Sequence, residues 1–541
     1  EGASLVKTFS TLMMYYPMRN LEISPYLITE YKPRIFDSLL YNLTPNNMLA
    51  ILAFRDAKTD EKEDFFSAEY SLTYSNSNLI KKWKKIKPHP YLKLPEKNEF
   101  LPKRLETFNF KGKIKLTYQS IMGLEKEGVN PRIIEHLKKY QGITWESLEK
   151  LIKGISPLAE NEETLKHFLR KHVLVIPQPI IDGEFTKFWF QQDLRFKKPK
   201  AKLILRINSP VVYINPRNAV LTQLYVDVVR EGLNEFGYPV RLSGLDFNIN
   251  YTKKGIILTL SGFSDKILDL AKSIVPRLKK ININKKTFKI LKEIRSRKYK
   301  NFVFEQPFKQ AFYFRNLLLE GKKYSIMEYE KEINQIKMSH LEEFLEKLFN
   351  NIFIEGLAYG NLDPKNVTKT INELSKNLAI KPFEKTKYFT NSVRQISNGN
   401  SHTFVRKMLG DNSAVLIEFQ MGQNNPKLLA KLMIIEVLLK AEFYNNIRTK
   451  KQLGYIVDSS MTKIDDTLGL MFLIQSNDKN SETLKQSVDV FLGNFYFFLK
   501  DISNFEINNI KNSIISSKLQ KTITMNAEAN RIFNSVFDRK A

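Results

Sequence analysis

One pattern occurs twice along this chain at a fixed spacing, and it constrains the fold more than any other feature. The first copy opens on an alternating stretch, AKLILRINSP, and continues from Pro216 with PRNAVLTQLYVDVVREGLNEFG to reach Gly244. Two more alternating stretches follow, LDFNINYT and IILTLSGF, separated by KKG, and then DKILDLAKSIVPRL from Asp265. The second copy opens on SAVLIEFQMG and runs from Pro426 to Gly454. It repeats the pair as YIVDSSMTK and LGLMFLIQS around IDDT, and ends with a run from Ser481. Alternation with period two marks strands and a period near 3.6 marks helices. Each copy therefore reads as strand, helix, hairpin, helix. Pro216 and Pro426 stand 210 positions apart, as do Gly244 and Gly454. Pro is tolerated at a first helical position because its missing N–H would have no intrahelical partner there. Matching order at constant spacing implies two copies of one α+β domain of about 200 residues, a normal domain size.

The first copy closes on MSHLEEFLEKLFNNIFIEGLAYGNL, a helix feeding a strand, and SPYLITEYKPRIFDSLLYNLTPNNMLAILAFRD near the start has the same form. Residues 1–105 are therefore expected to be the C-terminal part of an earlier copy, 186–385 a complete copy, and 386–541 a copy that stops before its closing strand. Residues 106–185 have a different texture: short amphipathic helical patterns punctuated by Gly and Pro, a linker carrying a helical insertion. A sheet lacking its last strand leaves an unpaired edge. The expectation is a piece of something longer, marginal when alone.

Composition narrows the chemistry. The chain is 43% hydrophobic and 12% aromatic, enough to bury real cores. No run approaches 18 consecutive apolar residues, so no transmembrane helix is expected, and EGASLVKTFS lacks the pattern of a signal peptide. The absence of cysteine excludes disulfides, thiol nucleophiles and thiolate metal sites. The net charge of +28 raises nucleic acid as a partner, but no motif of that class accompanies it. Lys spread beside abundant Asn and Ile reads as compositional bias, and a positive surface also attracts acidic peptides.

The six histidines, His89, His136, His167, His172, His340 and His402, include no pair at the i, i+4 spacing of a zinc-binding helix. RIIEH, ending at His136, has Arg132 where an inverted zinc motif needs its first His, and Arg cannot be deprotonated to ligate a metal. No G-x-S-x-G elbow and no Gly-rich phosphate loop is present. No catalytic set assembles from this chain alone.

EFYNNIRTKKQLGYIVDSSMTK, from Glu442 to Lys463, is where the two copies diverge. After Gly244 comes Leu245, as expected of a strand entering a core; after Gly454 comes Tyr455, whose phenol seeks a hydrogen-bond partner when buried. Arg448 near a helix C-terminus complements the helix dipole, which is its plain structural explanation. Together, and in one copy only, Arg448 and Tyr455 point to a site.

RTKKQLGYIV resembles the arginine–tyrosine segment of the inverzincin peptidases, the insulin-degrading enzyme and pitrilysin family. MMYYPMRNL, LTPNNMLAIL, IKKWKKIK, LKLPEKNEFLPKRLE, FWFQQDLRFKKPKA, GLNEFGYPVRLSGLDFNI, NFVFEQPFKQA, YGNLD and FLIQSNDK resemble family segments in the same order. The resemblance covers nearly all of the chain except the insertion. It implies four α+β domains in two halves closing around a chamber, and a zinc metalloendopeptidase whose H-x-x-E-H helix lies in a first domain that this chain lacks. On that resemblance, Arg448 and Tyr455 bind the substrate backbone, with Tyr444 and Asn445 lining the chamber beside them. Zinc is a cofactor of the full enzyme and is not bound by this chain. The implied partners are peptide substrates and a zinc-bearing N-terminal half or subunit. The implied compartment is periplasmic for a bacterial pitrilysin-like protein and cytoplasmic otherwise. The alternative is a catalytically inactive peptide-binding or scaffold subunit that kept the chamber wall.

Overall fold

The structure, a computed structural model, describes residues 2–23, 30, 32–74, 77–93, 96–109, 112–115, 117–139, 144–155, 162–280, 284–378, 381–382, 392–397 and 399–537. They form two compact units, Glu1–Lys97 and Asn98–Ala541. The 385/386 boundary expected from the sequence lies outside the described residues.

The first unit holds helices Gly2–Leu12, Pro33–Tyr41 and Ser77–Lys84 and a short antiparallel ladder of Glu61–Lys62 with Glu69–Tyr70. Among its described residues only Leu21 is buried. The strand expected in LTPNNMLAIL is not formed, and Leu49, Ile51, Leu52 and Phe54 are exposed. Apolar patterning gives a segment the capacity to pair. A strand also needs a neighbour to take its backbone N–H and C=O groups.

The second unit has the α+β architecture that the repeat predicts. Its larger sheet runs in the order Gln178–Asp182, Thr186–Gln192, Asn351–Gly360, Lys200–Asn208, Gly255–Phe263, Asp246–Tyr251, with Lys381–Pro382 paired to Asn351–Gly360. Neighbours along that path are antiparallel except Asn351–Gly360 with Thr186–Gln192, so the sheet is mixed. The smaller sheet is antiparallel, in the order Ser413–Gln423, Thr467–Ser476, Ile456–Ile464. In both sheets the returning strand of the hairpin sits between the hairpin's first strand and the opening strand of the segment. Both segments also start their first helix alike. Asn215 and Asn425 accept the N–H of the residue three ahead, with Pro216 and Pro426 next in line.

Helices Pro216–Gly232 and Ser264–Lys279 cover the larger sheet, burying Val220, Leu224, Tyr225, Ile267, Leu270 and Ile274 against Leu203, Leu205, Leu258 and Leu260. In the smaller sheet the core is aromatic: Phe443 meets Phe472 and Phe491 with ring centroids 5.2 and 5.0 Å apart. Each such ring contributes a few kcal/mol through its buried area, plus about 1 kcal/mol from edge-to-face contact. Helix Met525–Phe537 lies on the larger sheet, placing Ala529, Ile532 and Phe533 against Ile204, Leu357 and Tyr359. Among its described residues the expected insertion has helices Tyr118–Lys126, Pro131–Lys138, Trp145–Ile155 and Glu162–His172, with a small core around Leu124, Ile133, Leu137, Leu148 and Leu169.

Candidate functional site

Helix Pro426–Tyr444 widens into a π-turn, Asn445–Lys450, before it stops. The N–H of Lys451 reaches back five residues to the Asn446 carbonyl at 3.0 Å. Such turns shift the side chains that follow and recur at functional sites. Ile447, fully buried, anchors the turn, while Arg448 lies on its exposed side. Leu453 N–H then closes back on the Ile447 carbonyl at 3.0 Å, with Gln452 at a left-handed φ of 49°.

Gly454 follows because the chain there presses against strand Thr467–Ser476. A Cβ at Gly454 would sit 2.6 Å from the Gln475 carbonyl oxygen and 2.8 Å from Ile474 Cγ2. Tyr455 N–H donates to that same carbonyl at 3.0 Å. Tyr455 is 43% exposed, and its phenol oxygen accepts a hydrogen bond from Gln475 Nε2. Arg448 Nη1 donates to the Gly454 carbonyl at 3.0 Å. That bond uses one of five guanidinium donors and orients the rest of the fork.

The four residues singled out in the sequence thus fall in one exposed segment. Tyr444, 48% exposed, ends the helix; Asn445 begins the π-turn; Arg448 and Tyr455 flank Gly454. Arg448 serves the structure as well, through its bond to Gly454, so the helix-end explanation accounts for part of the side chain and leaves donors over.

Sequence reasoning missed what holds this segment in place. Helix Pro307–Leu319, from the first repeat segment, docks on the smaller sheet. Phe308 N–H donates to Gln475 Oε1 at 2.8 Å, and Arg315 grips Glu418 with both Nε and Nη2, at 3.1 and 2.9 Å. Thr462 Oγ1 donates to Glu418 as well. The signal was present in the sequence: Gln475 and Glu418 are polar residues inside apolar strand runs, and a buried polar group needs a partner.

Among the described residues no group of three or more His, Cys, Asp or Glu stands together as a metal site would require. His172 pairs with Glu127 at 3.2 Å, and His340 accepts from Arg217 at 2.6 Å. The described residues do not fit a zinc centre.

A family model for the middle or third domain of peptidase M16 matches residues 1–141 and 159–332, more than half of the chain. The chain belongs to the peptidase M16 family. A second model, for domain 4 of the C-terminal lobe of PqqF-like PQQ synthases, matches residues 434–533 and so takes in the whole Tyr444–Tyr455 segment. The insulin-degrading enzyme of Bos taurus is 25% identical over 98% of this M16 chain and 47% of its own length. The chain spans about half the length of the curated relatives it matches. The crystal structure of pitrilysin matches the fold with a TM-score of 0.73 at 18% identity, over 99% of this chain and 51% of that one. A crystal structure of a peptidase M16 inactive domain from Pseudomonas fluorescens matches 67% of this chain and 87% of its own, with a TM-score of 0.50 at 16% identity. No helix among the described residues is long and apolar enough to cross a membrane.

Proposed function

We propose that this chain is the substrate-binding, chamber-forming part of a zinc metalloendopeptidase, with the zinc site supplied by another domain or by a partner. Residues 186–385 are then a complete peptidase-fold domain, 1–105 the C-terminal part of the copy before it and 386–541 part of the copy after it, with the helical insertion in 106–185 linking 1–105 to 186–385. The observation that carries this reading is the Arg448–Tyr455 junction. It presents a guanidinium fork and a phenol to solvent from a backbone fixed by buried Gln475 and by the close approach of Gly454. Arg448 offers paired donors to carbonyls of an extended peptide backbone. Tyr455 offers a hydroxyl to the oxygen of the scissile carbonyl, a bond that strengthens as negative charge develops there; one such donor typically contributes about 3 kcal/mol to a barrier. Tyr444 and Asn445 line the same surface.

Metal analysis after dialysis, together with a quenched fluorogenic peptide assay, tests the division of labour. The 541-residue chain alone should bind no stoichiometric zinc and release no fluorescence, while the full-length protein or the assembled pair should do both. Chelator-sensitive turnover by the chain alone would overturn the proposal.

The likeness to the inactive Pseudomonas fluorescens domain favours a second reading, a peptide-binding or scaffold subunit without catalysis. An H-x-x-E-H sequence upstream of Glu1 or in a co-purifying partner selects the first reading, and its absence from both selects the second.

A further inference from the structure

We propose that Gln475 is a positioning residue that makes Tyr455 a hydrogen-bond donor to the substrate; this rests on the reading of Tyr455 given above. Gln475 is completely buried, next to the last residue of the Thr467–Ser476 strand. Its side-chain amide can sit in either of two orientations that differ by exchange of oxygen and nitrogen. Phe308 selects one of them. Its backbone N–H lies in the first turn of helix Pro307–Leu319, where intrahelical partners are lacking, and Gln306 supplies no side-chain cap. A backbone N–H can only donate, so the atom facing it at 2.8 Å is Gln475 Oε1. Nε2 is thereby turned toward the Tyr455 phenol oxygen, to which it donates.

This orientation decides what Tyr455 can do. With its oxygen accepting from Gln475, the phenol keeps its own proton for a group outside. In the opposite orientation the phenol would spend that proton on Gln475 Oε1 and face a substrate carbonyl with lone pairs. Hydrogen bonds in a chain polarise one another, and the positive end of the helix dipole at Phe308 adds to the same sense. The run from Phe308 N–H through the Gln475 amide to the Tyr455 hydroxyl thus points donors in one direction, from the first repeat segment through the second sheet to solvent. The groups share no local sequence, since Phe308 and Gln475 are 167 positions apart.

Gln475→Glu in the full-length protein or assembled pair tests this. The carboxylate keeps an acceptor for Phe308 N–H but replaces the donor facing Tyr455 with a second acceptor, which draws the phenol proton inward. With a quenched fluorogenic peptide, kcat should fall about tenfold or more while KM stays within about twofold. The double variant Gln475→Glu/Tyr455→Phe should be no slower than Tyr455→Phe alone, because both act on one hydroxyl. Losses that multiply in the double variant would overturn the proposal. Wild-type kcat in Gln475→Glu beside an impaired Tyr455→Phe would overturn it while leaving the role of Tyr455 standing. Wild-type kcat in Tyr455→Phe would remove both. A measurement on Tyr455→Phe covers the case in which Gln475→Glu does not fold: the Gln475 side-chain NH2 resonance should move upfield from its wild-type position. An unmoved resonance overturns the proposal.

Discussion

At Gly244 and Gly454 two matching segments of the chain arrive at the same point by different backbones. In the first, the regular helix Asn234–Leu242 ends at Gly244, whose φ of +73° is a left-handed conformation suited to glycine, and Leu245 follows at 2% exposure. In the second, a π-turn replaces the regular ending, Gly454 is required by closeness to Gln475, and Tyr455 follows at 43% exposure. The position 210 before Arg448 is Tyr238, on the regular helix. The lesson is that one scaffold can finish the same hairpin either as core or as a surface. What separates the two outcomes is a widened helical turn and one buried amide behind it.

The largest expected effect comes from cutting the second segment loose from the first. Arg315→Met leaves Glu418, whose side chain is 9% exposed, without its cation. An unpaired buried charge costs about 3–5 kcal/mol, which denaturant titration would register as a lower midpoint. Adding Glu418→Gln should recover much of that loss. Next comes Gly454→Ala, where the new methyl meets backbone; overpacking of this kind costs about 1–3 kcal/mol, and peptide binding should weaken because Tyr455 moves with the chain. Gly244→Ala meets the Phe263 ring, which can swing aside, and should cost about 1–2 kcal/mol for its left-handed backbone while leaving peptide binding alone. The smallest effect on stability should come from Tyr455→Leu, about 1 kcal/mol, because it leaves the buried Gln475 amide without its acceptor while the exposed ring itself adds little. The reverse exchange, Leu245→Tyr, should destabilise by about 1–3 kcal/mol because it forces a phenol into a packed core. Equal costs for the two exchanges would erase the distinction between core and surface.

The sequence carried the repeat plainly because Pro at a helix start and Gly at its end are local signals, and both helices begin with the same Asn–Pro cap. Arg448 and Tyr455 stood out because one copy departs from the other. The π-turn was not legible, since a bond to the fifth residue back has no residue preference that marks it. Gln475 was visible as a polar residue in an apolar strand, but its place in the site was not legible because its partner Phe308 belongs to another segment. LTPNNMLAIL shows the reverse: its apolar pattern promised a strand, and without a neighbour to pair with, Leu49 and Ile51 stand exposed. The larger sheet likewise takes its last cover, helix Met525–Phe537, from the far end of the chain, a contact that no local period announces.

The most direct test of the central claim is a paired measurement of kcat/KM and melting temperature for Tyr455→Phe and Arg448→Lys in the full-length protein or assembled pair. Tyr455→Phe removes one hydroxyl and keeps the ring. Arg448→Lys keeps the charge at the helix end and loses the fork. The account predicts that both lower kcat/KM by about tenfold or more, with melting temperatures within about two degrees of wild type. Wild-type kinetics in both variants would contradict it, and Arg448 and Tyr455 would then be only a helix end and the start of a strand.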